Sequence, residues 1–256
     1  MLVFLGLTGC TSVSRGVVND GGRDIMTASD EPDGRKRARI RLELAVGYFE
    51  QGQTAVALDE LKQSLVADPA YAPAHNLRGL IYLRLNDFRV AEDSFSRSLT
   101  LSPGDPNVMH NLAWLQCQQG RWTESFRHFE QALADPQYGE RAKTFRALGL
   151  CQARAGLAAD AERSLLKSYE YDAGNPVTTF NLALLLRARG DLVRAQFHLR
   201  RLNNSDLANA ESLWLGIKVE RQLDNQEATQ QLADQLLKRF PKARESGAFQ
   251  RGSFDE

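Results

Sequence analysis

Three cysteines and four histidines are the residues of this 256-residue chain best suited to chemistry. A helical metal site pairs two imidazoles at i and i+4 or sets one beside a CxxC, so that both ligands leave one face. His75, His110, His128 and His198 have no such partners, and no metal or cofactor is expected. The phosphate-cradling GxxxxGK[ST], the dinucleotide-binding GxGxxG and the nucleophile elbow GxSxG do not occur. Scattered Ser, His and Asp residues make no catalytic triad, so neither an enzyme nor a small-molecule substrate is expected. The cysteines differ in setting. Cys10 follows a short apolar run, whereas Cys117 and Cys151 stand 34 residues apart within helix-forming sequence.

The run before Cys10, MLVFLGLTG, is too short to span a bilayer and ends in small residues, as the core and cleavage region of an export signal do. A signal normally opens with Lys or Arg, so the true start is expected upstream of Met1. Leu7-Thr8-Gly9-Cys10 resembles the bacterial lipobox, which implies cleavage before Cys10 and acylation of its sulfur. Thr11, in place of an aspartate, resembles the outer-membrane sorting pattern. Two or three acyl chains would anchor stably, each buried methylene contributing about 0.8 kcal/mol. No stretch of about 18 consecutive apolar residues exists to cross a membrane as a helix.

Lys plus Arg (32) equal Asp plus Glu (32), which leaves no net positive field to condense nucleic acid. RKRARIR, residues 35–41, reads as the solvated start of a helix. Residues 1–9 are thus expected to be a signal peptide, 10–37 the lipidated cysteine and a Gly-, Ser- and Asp-rich tether, 38–241 the folded body, and 242–256 a polar tail.

A turn glycine or asparagine after an apolar helix recurs at Gly52, Asn86, Gly120, Gly156, Gly190 and about Asn225. That period, with two amphipathic helices per unit, resembles the tetratricopeptide repeat and implies an all-α, right-handed superhelical solenoid of six units. Small residues mark the helix crossings (Gly79 and Ala91, Ala45 and Ala57), large ones fill them (Tyr82 and Phe95), and Pro103 closes the second unit. The sixth unit is degraded; Gly216, Ala228, Leu232 and Pro241 mark it, and its wet outer face suits a terminal repeat.

In that repeat the first helix of each pair lines an inner groove. Its inward positions here are Leu42, Val46 and Phe49; Asn76, Leu80 and Leu83; His110, Trp114 and Cys117; Lys143, Arg146 and Leu150; and Phe180, Leu184 and Arg187. The first half of the groove is apolar and the middle basic, which suits a peptide with apolar anchors and an acidic group. Leu42 and Val46 occupy the places where carboxylate-clamping repeats carry Lys and Asn, which argues against a chaperone-tail clamp. Cys117 and Cys151 fall in neighbouring first helices. Two buried free thiols and a bridge are both open, a bridge requiring Cα atoms within about 7 Å and an oxidising compartment.

Lipobox, tether and six repeats together resemble the type IV pilus biogenesis lipoproteins, the pilotins of the pilus secretin. Residues 28–65, ASDEPDGRKRARIRLELAVGYFEQGQTAVALDELKQSL, carry most of the likeness, supported by NVMHNLAWLQCQQGRW (107–122) and LWLGIKVERQL (213–223). The resemblance implies a lipid anchor on the periplasmic face of the outer membrane, delivery by the lipoprotein sorting machinery, and binding of secretin subunits to promote their localisation and multimerisation. It also implies a Cys117–Cys151 pairing. The alternative is an outer-membrane scaffold for an unrelated envelope complex.

Overall fold

The computed structural model describes residues 30–254, so Cys10, the signal peptide and most of the tether lie outside the described residues. Within them the chain forms thirteen α-helices and no strand. Six antiparallel hairpins follow one another: α1 (Asp33–Glu50) with α2 (Thr54–Ala67), α3 (Ala72–Arg84) with α4 (Phe88–Leu101), α5 (Pro106–Gln118) with α6 (Trp122–Ala134), α7 (Arg141–Arg154) with α8 (Ala158–Tyr171), α9 (Pro176–Ala188) with α10 (Leu192–Asn203), and α11 (Ala210–Gln222) with α12 (Gln226–Arg239). A short α13 (Arg244–Arg251) closes the stack.

The hairpins turn through a residue with left-handed backbone at Gly52, Asn86, Gly120, Gly156, Gly190 and Asp224. This conformation suits Gly and is tolerated by Asn and Asp, whose short polar side chains bond locally. The next residue often caps the following helix: Asp87 accepts from Val90 N at 3.2 Å, and Asn225 from Ala228 N at 3.3 Å. Prolines at the starts of α3, α5 and α9 sit where a missing N–H costs nothing.

Within a hairpin the helices approach most closely at small residues. A Cβ on Gly149 would lie 2.8 Å from Leu165 Cγ, and one on Gly79 would overlap the Phe95 ring. Between first and second helices, Ser64 Oγ donates to Ala38 O (2.7 Å) and Ser98 Oγ to Ala72 O (2.9 Å), which satisfies carbonyls in the dry interior. Four of the five buried clusters draw on neighbouring hairpins, and the fifth joins the last hairpin to α13. Leu42, Ala57, Leu61, Leu77 and Ile81 join the first two, and Phe129, Leu133 and Leu148 join the third and fourth. No hairpin could bury its apolar face alone, so stacking is what makes the core.

Two boundaries differ from the sequence reading. α1 begins at Asp33, inside the stretch assigned to the tether, because buried Ala38 needs a full helical turn before it. The assigned polar tail contains α13, whose Ala248 and Phe249 pack with Phe254 against Trp214 and cover the last hairpin. The sixth turn, expected at about Asn225, is centred on Asp224. Ile217, Ala233 and Leu236 are fully buried there, while Ala228 and Leu232 are half-buried.

Candidate peptide-binding groove

First helices α1, α3, α5 and α7 line an open cavity of about 630 Å³ on the concave side. Phe49, Leu80, Leu83, Trp114 and Leu150 supply apolar surface, and Arg84, Lys143 and Arg146 supply positive charge. No carboxylate lines it, and none of its three cations forms an ion pair among the described residues. The site therefore offers apolar anchors beside uncompensated charge, a combination that favours an acidic partner.

The apolar end is organised by Arg84. Its guanidinium lies 3.6 Å from the Phe49 ring centroid and Nη1 donates to Phe49 O at 2.8 Å, so one cation spans two hairpins and fixes the ring. At the centre Asn111 Nδ2 donates to Asn76 Oδ1 at 3.0 Å, linking α5 to α3.

His110 forms part of the floor. Its Nδ1 lies 2.8 Å from Thr144 Oγ1, which is itself 2.8 Å from the Tyr138 hydroxyl, and its ring meets Phe129 edge-on. Burial, with added repulsion from Lys143 and Arg146, pushes its pKa down to about 3, so the imidazole is neutral at physiological pH. His110 is thus a hydrogen-bonded strut and not a charge offered to a ligand.

Of the residues expected to contact a partner, Phe49, Leu80, Leu83, His110, Trp114, Lys143 and Arg146 come together in this cavity. Leu42 does not: it is 9% exposed and packs with Ala45 and Leu61 in the first core, and Val46 packs against the same cluster. That cluster joins α1 to α2 and α3; Phe49 flanks it as well but also lines the cavity. Asn76 reaches the groove only through Asn111. Phe180 packs on the Leu182–Leu186 cluster, and Arg187 Nε donates to Gln222 Oε1 at 3.0 Å, both beyond the cavity. Arg84, Asn111 and Gln118 line the cavity without having been singled out, and Asn86, expected only as a turn residue, joins them. Arg84 is one residue past the inward column, 35 residues after Phe49, and a search for cation–aromatic pairs one repeat apart would have found it.

Cys117, placed in the inward column, is fully buried and disulfide-bonded to Cys151, with Cα atoms 5.9 Å apart. The bond ties α5 to α7 directly behind Trp114, Lys143 and Arg146. Closing a loop of this length restricts the unfolded chain by about 3 to 4 kcal/mol.

Models of the tetratricopeptide repeat match residues 42–106 and 107–135. The chain is a tetratricopeptide-repeat solenoid. Over 252 residues it is 27% identical to the type IV pilus assembly protein PilF of Pseudomonas aeruginosa, a match covering 97% of this chain and 96% of PilF. The crystal structure of PilW, a widely conserved type IV pilus biogenesis factor, superposes with a TM-score of 0.74 at 28% identity over 81% of this chain and 96% of PilW. The solved Pseudomonas aeruginosa PilF gives 0.76 at 25% identity, over 86% and 99%.

Proposed function

We propose that this protein acts in type IV pilus biogenesis as an outer-membrane lipoprotein, anchored through Cys10, that binds secretin subunits in the groove and promotes their multimerisation in that membrane. The observation that carries the reading is the end-to-end similarity to PilF, which spans 97% of this chain and 96% of PilF. The groove adds a mechanism. Phe49, Leu83 and Trp114 desolvate apolar anchors of an incoming segment, and Lys143 and Arg146 attract an acidic group and set its register. No chemical step is needed: shielding an unassembled segment while the acylated cysteine is carried to the outer membrane is sufficient work for a binding protein.

The test is a gel of heat-resistant secretin multimers in outer-membrane fractions from four strains: wild type, a deletion, Cys10→Ala, and a groove variant with Phe49, Leu83 and Trp114 all changed to Glu. Multimers are expected in the wild type only, with the groove variant still folded by circular dichroism. Unchanged multimers in the deletion strain would discard the pilus reading. Loss in the deletion but not in the groove variant would move the binding site elsewhere on the solenoid.

A further inference from the structure

The inner column does not stop at the cavity. Six residues before the left-handed turn residue, at one inward position of each first helix, stand Leu80, Trp114, Leu150 and Leu184 in the second to fifth hairpins. Leu80, Trp114 and Leu150 line the cavity, and Leu184, one hairpin further on, is 42% exposed on α9. In the first hairpin the same place holds Val46, which flanks the first core, and in the sixth it holds Lys218. The apolar row is thus bounded at both ends, and it crosses the helices instead of following any one of them.

The spacing of the row selects what can lie on it. Packed helices stand about 8–10 Å apart, so successive anchors recur at about that interval. Bonds between first helices keep them side by side: Asn111 Nδ2 donates to Asn76 Oδ1 between α5 and α3, the Cys117–Cys151 bond joins α5 to α7, and Arg187 Nε donates to Gln222 Oε1 between α9 and α11. A strand sets side chains of one face about 6.7 Å apart. A helix brings its face round every 5.4 Å or so. Three residues of a polyproline-type extended chain advance about 9 Å and return to the same face, and this conformation keeps step with the row.

Charge flanks the row on both sides. Lys143 and Arg146 precede Leu150 on α7, whereas Arg84 and Arg187 follow Leu80 and Leu184 on α3 and α9. None of these four cations forms an ion pair among the described residues. An acidic chain lying on the row therefore meets positive charge along both edges.

Resting on the reading of the groove as a peptide site, we propose that the concave face takes an extended, polyproline-like segment of its protein partner across α3, α5, α7 and α9. Apolar side chains at every third residue of that segment seat on Leu80, Trp114, Leu150 and Leu184, and carboxylates between them face the flanking cations. The backbone of such a segment needs no ladder and stays solvated, so proline is admitted within it.

The test is NMR titration of the 15N-labelled full chain with acetylated, amidated LSDLPDLSGL, whose leucines recur every third residue. Three relatives accompany it: LSLDLPLDSG, the same composition on a period of two; LSNLPNLSGL, which lacks the charge; and LSDLADLSGL, which permits a helix. Saturable shifts are expected for amides of α3, α5, α7 and α9 with the first peptide, at an affinity about threefold or more above the period-two and uncharged relatives. The alanine relative is expected to bind no more tightly. Leu184→Glu, at an exposed position beyond the cavity, should weaken the first peptide by about threefold or more. Absent shifts, equal affinity for the two periods or for the charged and uncharged peptides, tighter binding of the alanine relative, or unchanged affinity in Leu184→Glu would overturn the proposal. Each of these leaves the pilus reading standing, because that reading is decided by secretin multimers in the deletion strain, which owe nothing to the peptide's period.

Discussion

The seam between the third and fourth hairpins and the seam between the fifth and sixth are built on one geometry and put to opposite use. At the first, Leu133 meets Leu148, Phe129 fills the space beside them, and the Cys117–Cys151 bond locks α5 to α7 beneath the groove. At the second, Asn203 meets Gly216, the interface holds a cavity, and the polar network of Glu220 with Arg200, Gln196 and Asn225 replaces apolar packing. A repeat fold fixes where helices cross and leaves each seam's contents to a few residues. One seam can therefore be spent on rigidity under a binding surface and another on a polar opening.

The largest expected effect comes from removing the lock. Cys117→Ala with Cys151→Ala, or reduction of the wild type, should lower stability by about 3 to 4 kcal/mol, read as the shift of the urea midpoint. An unshifted midpoint would mean that the third seam owes its stability to packing alone. Exchanging the seams' contents sharpens the contrast. Leu133→Asn should destabilise by about 3 kcal/mol through lost packing and a buried amide, whereas Asn203→Leu should stabilise by about 1 kcal/mol by removing an unpaired acceptor and filling space. Effects of equal size and sign at the two sites would show that the seams are energetically alike.

The remaining expected effect is a pH dependence to which the locked seam contributes through His110. His110 is held neutral with its pKa at about 3, below the ordinary imidazole value of 6.5. Between those values the unfolded chain binds the proton and the folded chain does not. Stability is therefore whole above pH 6.5 and falls as the pH drops toward 3, by at most about 1.4 kcal/mol per pH unit. His128 and His198 are shifted in the same direction by burial first and neighbouring arginines next, so His110→Gln should reduce the slope of midpoint against pH between 6.5 and 5 without removing it. An identical slope in the variant would place the titration elsewhere.

Much of the architecture was legible before any coordinates. Six turns at near-constant spacing, small residues at crossings and a column of inward side chains follow from short-range rules: helical period, left-handed turn residues and the volume of a crossing. They sufficed to place Phe49, Leu80, Leu83, Trp114, Lys143 and Arg146 along one face. They also brought Cys117 and Cys151 to equivalent places in neighbouring helices, although spacing alone left bridge and free thiols open.

The tertiary structure decided what depends on helix tilt and rotation. Leu42 obeys the same periodicity as Phe49 yet is buried with Ala45 and Leu61 in the first core, which Val46 and Phe49 flank while only Phe49 also lines the cavity. The sixth turn is centred on Asp224, next to the expected Asn225, which caps α12 by accepting from Ala228 N. α13 exists because the exposed end of the stack offered Trp214 a cover, a demand that no local pattern in residues 242–256 announces. The Asn203–Gly216 cavity arises from two unremarkable residues in different hairpins. By itself the sequence determined the repeat and the groove's chemistry, both of which are local; which side chains reach solvent, and which two positions leave a space between them, was decided by contacts between units that only the stacked solenoid creates.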